Sequence, residues 1–260
     1  MQFRRKYRIV ILGAGNLAFH IAPALKNAGH IILHVYSRTI ESALQLAEKT
    51  GAQFIINPEL VNNNADLYFF TLPDHILFPV LQKTELRDKM LITTSGSIET
   101  DIFKPLTSCY GVFYPLQTFS KERHLDFAGV PVFIEASDSG TEVILFRLGR
   151  QLVSKVTVVT REQRQILHLV AVFAGNFSNH MYSIADNILK NNNLTFDFLK
   201  PLITEVSAKI SGMQPLEAQT GPAARNDLEI IQKHIDLLSG YPEFQKIYRF
   251  VSDSIQKMEK

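Results

Sequence analysis

Two glycines between a predicted strand and a predicted helix constrain this chain more than any other feature. The apolar run Arg8–Leu12 predicts a strand, and the sequence that follows it is Gly13-Ala14-Gly15-Asn16-Leu17-Ala18. Apolar residues then recur at helical spacing over 16–28, and Gly29 supplies the expected helix end. A second run, Ile31–Tyr36, completes a βαβ unit. The pattern G-x-G-x-x-A at the first turn of such a unit is typical of a dinucleotide-binding Rossmann domain.

Small residues have distinct roles in this interpretation. Gly13 permits the tight turn, and Gly15 lets a pyrophosphate approach the backbone. Asn16 and Leu17 open the helix, where free N–H groups can bind phosphate. We therefore predict that Gly13, Gly15, Asn16 and Leu17 bind a dinucleotide. The alternative is a glycine turn in an unrelated α/β protein.

The end of the second predicted strand bears on which dinucleotide is bound. NAD-binding proteins usually carry an acidic residue about 20 residues after the glycines, whereas this chain has Tyr36-Ser37-Arg38-Thr39. An arginine can donate two parallel charge-assisted hydrogen bonds to a 2′-phosphate. Ser37 and Arg38 therefore predict NADP(H) as the cofactor. The alternative is that Arg38 is a solvated residue at a helix start.

Strand-like runs alternate with helices as far as about residue 160, and the remainder reads as helical. Beyond the first two, the predicted strands are 53–56, 67–71, Met90–Thr93, 109–113, 130–135 and 155–159. A helix over 138–152 is expected to face inward with Val143, Phe146 and Leu152. The later helices are predicted at 162–189, 197–210, 226–238 and Pro242–Met258. The fold class is α/β, with a doubly wound, mostly parallel Rossmann sheet over 1–160 and an all-helical domain over 161–260.

Two further strand ends are expected to line the same crevice, because ligands of open α/β sheets bind at the carboxyl ends of the strands. After the strand at 67–71, Leu72 and Pro73 are predicted to pack against the cofactor, and Asp74 is expected to cap the next helix. After Met90–Thr93, Ser95 is predicted either to cap a helix or to contact the cofactor.

The order of these motifs, continued by Thr94-Ser95-Gly96-Ser97 and Pro115-Leu116-Gln117-Thr118-Phe119, resembles a two-domain family. Its members join a Rossmann-like domain to the C-terminal domain of unknown function 2520. The resemblance spans nearly the whole chain, and the family is related to pyrroline-5-carboxylate reductases, β-hydroxyacid dehydrogenases and an alternative ketopantoate reductase. It implies NADP binding, a helical domain similar to the C-terminal domain of 6-phosphogluconate dehydrogenase, and a homodimer.

Within that resemblance, one motif differs from its usual form. The family usually reads His-Pro-Leu-Gln-Thr-Phe, whereas this chain has Tyr114 in place of the histidine. Gln117 is expected to bond the nicotinamide carboxamide or a substrate carbonyl. The alternative is that Leu116 and Phe119 make this segment purely structural.

Three polar residues of the long predicted helix are catalytic candidates. His168, Asn176 and His180 are eight and four residues apart, which would place them along one face of an α-helix. The asparagine is similar to that of the Lys-x-x-x-Asn element of β-hydroxyacid dehydrogenases, but Val172 occupies the lysine position. A histidine or a bound water would then have to supply the proton. The alternative is a structural role for these side chains.

A turn before the last two helices suits an anion. It reads Thr220-Gly221-Pro222-Ala223-Ala224-Arg225-Asn226-Asp227 and resembles the family's Thr-Gly-Pro signature. We predict that Thr220, Gly221 and Arg225 bind a substrate carboxylate, with Arg225 also taking part in catalysis and Asp227 orienting it. The alternative is an Arg-Asp pair at the surface.

Composition excludes several other classes of protein. The single cysteine, Cys109, cannot form an internal disulfide, and we expect no metal because no zinc-site spacing is present. A net charge of +2 with interspersed signs argues against nucleic acid, and the lack of a long apolar run argues against a membrane.

The expected function is that of a cytoplasmic, NADP(H)-dependent oxidoreductase. It would reduce the carbonyl or imine of a small carboxylate metabolite, in the manner that the resemblance to ketopantoate reductase implies. The alternative is a catalytically silent NADP-binding sensor or scaffold.

Overall fold

The computed structural model describes residues 5–258, and within this range eight strands form one sheet. The strands are β1 (Arg8–Leu12), β2 (Ile31–Tyr36), β3 (Gln53–Ile55), β4 (Leu67–Phe70), β5 (Met90–Thr93), β6 (Tyr110–Pro115), β7 (Val132–Ala136) and β8 (Val156–Val158). Their order is β3-β2-β1-β4-β5-β6-β7-β8. Neighbours are parallel except β6 and β7, which are antiparallel. The first six positions follow the doubly wound Rossmann order, so the predicted fold class is confirmed.

The α-helices of the described range fall into two groups. Four lie between strands: α1 (Ala18–Asn27), α2 (Ile40–Thr50), α3 (Asp74–Leu81) and α4 (Ser139–Leu152). The other five follow β8: α5 (Arg161–Ala171), α6 (Ser178–Asn191), α7 (Lys200–Gly212), α8 (Leu228–Leu237) and α9 (Pro242–Met258). Residues Val172–Phe177 form a π-helical turn between α5 and α6. The all-helical region expected after residue 160 is therefore present.

The central strands of the sheet are buried on both faces. Along β1, Ile9 and Ile11 belong to one apolar cluster, while Val10 and Leu12 belong to a second. The first cluster includes buried residues of α1 and α4, and the second includes buried residues of α3. Successive side chains of a strand point to opposite faces, so two helix layers cover this run of apolar residues. The arrangement leaves the strand ends as the places where polar groups can gather.

The inward face of α4 differs from the predicted one. Leu152 is buried as expected, but Val143 is 45% exposed and Phe146 is 40% exposed. The prediction for these two residues is wrong, because the buried stripe runs instead through Leu145 and Leu148. These buried positions keep the three- and four-residue spacing of a helix face, shifted around the axis from the predicted one.

Contacts divide the chain into two units, one ending at Asn176 and the other beginning at Phe177. The first unit therefore takes in α5, beyond the predicted boundary after residue 160. The predicted boundary lies where the strand pattern stops. The division into a cofactor-binding domain and a substrate-binding domain at this residue stays a prediction. No helix of the described residues is both long enough and apolar enough to cross a membrane.

Candidate functional site

Gly13 occupies a position that only glycine tolerates. Its φ of +121° lies outside the conformations that other residues readily adopt, and an added Cβ would lie 2.5 Å from the carbonyl oxygen of Thr71. The Gly13 N–H donates to the Tyr36 oxygen at 2.9 Å, and the Thr71 hydroxyl donates to the Gly13 oxygen at 2.9 Å. The turn is thereby fixed between the ends of β2 and β4.

Gly15 lies in open space. An added Cβ there would meet no atom within 4 Å, and both Gly15 and Asn16 are exposed. No hydrogen bond within residues 5–258 uses the N–H of Gly15, Asn16 or Leu17. Leu17 is the N-cap residue of α1 and makes no side-chain cap. This loop therefore presents free amides at a helix start, which is the chemistry that binds phosphate.

Ser37 and Arg38 follow β2 directly and differ in surroundings. Ser37 is buried, with its hydroxyl 3.2 Å from the Thr39 hydroxyl and its N–H donating to the Ile55 oxygen at 3.2 Å. Arg38 is exposed and forms no ion pair with any residue of the described part of the chain. Its guanidinium is therefore available to an anionic ligand beside the glycine loop, which is tied to β2 through Tyr36.

The ends of β4 and β5 carry a polar network. Leu72 is half-buried and Pro73 is exposed, and Pro73 is the N-cap residue of α3. The prediction that Asp74 caps this helix is wrong, because Asp74 is already the first helical residue. Its carboxylate instead accepts a short hydrogen bond from the Ser97 hydroxyl.

Ser95 is held by its own turn. Its hydroxyl oxygen accepts the backbone N–H groups of Ser97 and Ile98, both at 3.1 Å. The Ser97 hydroxyl has one hydrogen and gives it to Asp74, so in the 3.2 Å contact between the two serines Ser95 is the donor. The prediction that Ser95 caps a helix is wrong, because these bonds close a local turn and the next helical segment, the 3₁₀ helix Thr100–Phe103, has Glu99 at its N-cap position. Cofactor contact by this residue stays a prediction.

Tyr114, near the carboxyl end of β6, and His168 of α5 form a hydrogen-bonded pair. The Tyr114 hydroxyl lies 3.2 Å from Nδ1 of His168, and the two rings meet edge to face with centroids 6.1 Å apart. Tyrosine is protonated near neutral pH, and burial raises the pKa of Tyr114 further. The residue that departs from the family motif is thus the direct partner of a predicted catalytic histidine.

The His168 ring rests against the backbone of Gly96. A Cβ added at Gly96 would lie 2.7 Å from Cγ and from Nδ1 of the imidazole. One helical turn earlier, Arg164 is fully buried, and its Nε donates to Oε2 of Glu135 at 2.7 Å. The same guanidinium donates to the carbonyl oxygens of Ser95 at 3.3 Å and Ile98 at 2.8 Å.

The remaining predicted residues of the first unit are exposed. The Gln117 side-chain oxygen accepts the N–H of Thr118 at 2.8 Å. Asn176 lies in the π-helical turn, and His180 lies in α6 of the second unit. A π-helical turn changes the angular spacing between residues. The α-helical spacing that placed His168, Asn176 and His180 on one face therefore does not hold across residues 172–177.

In the second unit, the two side chains predicted to bind an anion are exposed. Gly221 has φ +108°, and Thr220 and Arg225 are exposed. Arg225 has no ion pair among the residues that the structure describes. Asp227 is the N-cap of α8 and accepts the N–H of Ile230 at 3.2 Å. The prediction that Asp227 orients Arg225 is wrong, because the carboxylate caps the helix instead.

Comparison with known proteins agrees with this architecture. The family model described as NADP oxidoreductase coenzyme F420-dependent matches residues 8–96, and the domain of unknown function DUF2520 matches residues 130–255. A crystal structure of a Bacteroides fragilis protein, described as a candidate NADP oxidoreductase, is 42% identical, with a TM-score of 0.92 over 97% of this chain and 98% of that one. The chain belongs to this two-domain NADP oxidoreductase family. The predicted resemblance is thereby confirmed.

More distant members of the fold include reductases of known type. An imine reductase from Streptomyces aurantiacus is 15% identical, with a TM-score of 0.66 over 96% of this chain and 93% of that chain. A reductive aminase from Aspergillus terreus, solved with NADPH and ethyl levulinate, is 14% identical, with a TM-score of 0.66 over 97% and 95%. At these identities the likeness shows the fold alone. No curated protein matches the chain.

Three residues of the polar cluster around His168 were not predicted from the sequence: Gly96, Glu135 and Arg164. Glu135 gave a signal, because it is a charged residue inside the otherwise apolar strand Val132–Ala136. A charge in a buried strand needs a partner of opposite sign. Arg164 gave none, because its helix alternates polar and apolar residues as a surface helix does.

Proposed function

We propose that this protein is an NADP(H)-dependent oxidoreductase that reduces the C=O or C=N bond of a small carboxylate metabolite. One observation carries the proposal: the exposed glycine loop follows β1, and Tyr114, the partner of His168, lies at the carboxyl end of β6 in the same sheet. Between β1 and β6 lie only β4 and β5, and all four strands run in the same direction. Their carboxyl ends therefore share one edge, where ligands of such sheets bind.

The residues at this edge fit a dinucleotide. The amides of Gly15, Asn16 and Leu17, which take part in no hydrogen bond among the described residues, would hold the pyrophosphate. Arg38, exposed and without an ion pair in the described range, would hold a 2′-phosphate, with Ser37 beside it. An NADP preference is supported by this guanidinium and by the name of the family, and Leu72, Pro73, Ser95 and Gln117 remain proposed contacts.

The chain's own chemistry at the far end of the edge is acid–base. When bound, NADPH supplies a hydride to the carbon of the reduced bond. His168 would deliver the accompanying proton from Nε2 to the oxygen or nitrogen, since Nδ1 is engaged by Tyr114. Tyr114, whose pKa is raised further by burial, would hold the imidazole in one orientation.

The second unit would contribute substrate recognition. We assign the substrate carboxylate to Arg225 with Thr220 and Gly221, and the reacting oxygen to Asn176, with His180 as an alternative proton source. The guanidinium of Arg225, which forms no ion pair within residues 5–258, and the open space beside Gly221 support the first assignment. A reaction similar to that of ketopantoate reductase is part of the proposal.

We further propose a cytoplasmic homodimer. Leu202, Val206 and Ile210 recur every four residues along α7 and are all about half exposed. An apolar stripe of this kind is usually covered by another protein surface. Light scattering on the full chain and on Val206→Glu tests this proposal, with a dimer expected for the first and a monomer for the second.

One observation favours a second candidate, a catalytically silent NADP-binding protein. Val172 occupies the position of the lysine in the similar β-hydroxyacid dehydrogenase element, so the usual proton donor is lacking. In that case the glycine loop would bind coenzyme as a signal and His168 would have no role in turnover.

Coenzyme binding and turnover separate these candidates. Nicotinamide fluorescence should show saturable binding of NADPH that is at least tenfold tighter than that of NADH. A panel of ketopantoate, other 2-keto acids and cyclic imino acids should then oxidise bound NADPH. His168→Gln should lower turnover without weakening NADPH binding, whereas the exposed control His124→Gln should change neither. Tight NADPH binding with no turnover of the panel would favour the silent alternative, and no binding of either coenzyme would refute both.

A further inference from the structure

We propose that Arg164 is a positioning residue that holds the His168 imidazole against Tyr114. The proposal deepens the proposed function, on which it rests for the role of His168. Arg164 is not expected to touch substrate or cofactor. Its effect is to fix the turn of α5 that carries the histidine.

The surroundings of Arg164 are those of a built anchor. The side chain is fully buried, and each of its three nitrogens donates: Nε to Glu135, Nη1 to the Ser95 oxygen and Nη2 to the Ile98 oxygen. A buried ion pair of this kind contributes little net stability compared with apolar residues of the same size. Its hydrogen bonds do, however, fix direction, because the guanidinium is a planar fork.

The anchor joins α5 to the segment that receives His168. Ser95 and Ile98 flank Gly96, the residue against which the imidazole rests. Residues four apart lie on the same side of an α-helix, so the turn fixed by Arg164 is the one directly before His168. Any shift of α5 relative to residues 95–98 would therefore move the imidazole away from Gly96 and lengthen its 3.2 Å contact with Tyr114.

Two arginines of α5, Arg161 and Arg164, lie close to Glu135 but make different contacts. The other carboxylate oxygen of Glu135 accepts the Thr100 hydroxyl at 3.1 Å and lies 3.8 Å from Nε of Arg161. Arg161 pairs mainly with Asp101 at 2.6 Å and is partly exposed. It makes no hydrogen bond to residues 95–98 in the described structure. Arg161 is thus a matched control, since it lies on the same helix and faces the same carboxylate but does not reach the Gly96 segment.

Placement of this accuracy matters for proton transfer. A misplacement of about 1 Å can lower a rate on the order of a hundredfold when the donor must lie within hydrogen-bond reach of the reacting atom. The proposal therefore predicts a loss in kcat with coenzyme binding retained. A purely structural arginine would instead lower thermal stability and leave the properties of the folded fraction unchanged.

The test compares Arg164→Lys and Arg164→Met with Arg161→Lys and Arg161→Met in the full chain. Two readouts are used: kcat for the best substrate of the panel above, and the ring ¹⁵N and ¹H signals of His168, assigned from their loss in His168→Gln. Both Arg164 variants should lower kcat tenfold or more, keep the NADPH dissociation constant within about twofold and shift the His168 signals. Lysine cannot donate to Glu135, Ser95 and Ile98 in a fork, so it should rescue stability better than kcat. The Arg161 variants should leave both readouts unchanged.

The lysine variant keeps the test decisive if the methionine variant fails to fold. Unchanged His168 signals and kcat in folded Arg164→Lys would overturn the proposal, as would equal changes in the Arg161 variants. If the wild-type protein reduces nothing in the panel, the proposed function fails, but the His168 signals still decide whether Arg164 positions the ring.

Discussion

Replacement of Gly15 by alanine should separate folding from coenzyme binding in this protein. The added methyl group meets no atom within 4 Å, and Gly15 has no positive φ, so the folded chain accommodates it without strain. The methyl would, however, stand above the exposed amides of the loop, where a pyrophosphate has to approach the backbone. We expect the fold to survive and the binding to fail.

The size of each effect follows from these surroundings. A substitution into open space usually changes the free energy of unfolding by no more than about 0.5 kcal/mol. A lost hydrogen bond to a charged group costs about 1.5–3 kcal/mol. Because about 1.4 kcal/mol corresponds to a factor of ten, loss of one phosphate contact should raise the NADPH dissociation constant roughly ten- to a hundredfold. The effect on binding thus exceeds the effect on stability.

Two other glycines provide the controls. Gly13→Ala places a methyl 2.5 Å from the Thr71 oxygen at φ +121°, so it should lower stability by at least the roughly 1–3 kcal/mol of a strained backbone. Gly129→Ala also enters open space but lies outside the glycine loop, so it should change neither quantity. Urea unfolding and NADPH fluorescence titration measure the two effects. Wild-type affinity in folded Gly15→Ala would refute the assignment of phosphate to this loop.

Three further predictions follow from single contacts. Arg38→Ala should weaken NADPH binding about tenfold or more and leave NADH binding unchanged, because only NADPH carries the 2′-phosphate; an equal loss for both coenzymes in fluorescence titrations would contradict this. Burial lowers the pKa of His30. Below about pH 6.5 the unfolded chain therefore binds more protons than the folded chain, and the free energy of unfolding decreases as the pH is lowered. His30→Phe should flatten this fall in urea unfolding between pH 7 and pH 5, whereas the exposed control His124→Phe should retain it. The Asp138 carboxylate caps α4 by accepting the N–H groups of Gly140 and Thr141. Asp138→Ala should therefore lower the free energy of unfolding by about 1 kcal/mol in the same assay, and an unchanged value would contradict this role of the cap.

Local patterns were sufficient for the sheet and for the glycine loop. β1, β2 and β5 have the predicted bounds, because each is a short apolar run bounded by turn residues. The glycine loop could be predicted for the same reason, since its strand, turn and helix are consecutive in sequence. The N-cap residues were harder to predict, because an acidic residue near a helix start can lie either at the cap or inside the first turn. Asp227 is at the N-cap position, whereas Asp74 is the first residue of its helix.

The polar contacts of the site could not be predicted in this way. Arg164 donates hydrogen bonds to Glu135, Ile98 and Ser95, which are 29, 66 and 69 positions away from it in sequence. Its burial therefore depends on α5, β7 and residues 95–98, which only the folded sheet brings together. The π-helical turn is a second example, because the spacing of His168, Asn176 and His180 fits one face only if the helix is regular. Contacts between distant segments and local changes of helix type leave no periodic signal in the sequence.

Tyr114 shows how the two kinds of information combine. In sequence, this residue is a tyrosine where the family usually has a histidine. In the structure the imidazole function is present at the same edge, contributed by α5, and the tyrosine hydroxyl is its hydrogen-bond partner. A neutral phenol, whose pKa burial raises further, can orient a neighbouring imidazole without adding a charge to the site. The substitution is therefore compatible with the proposed reaction, provided that the buried contacts of Arg164 keep α5 in place.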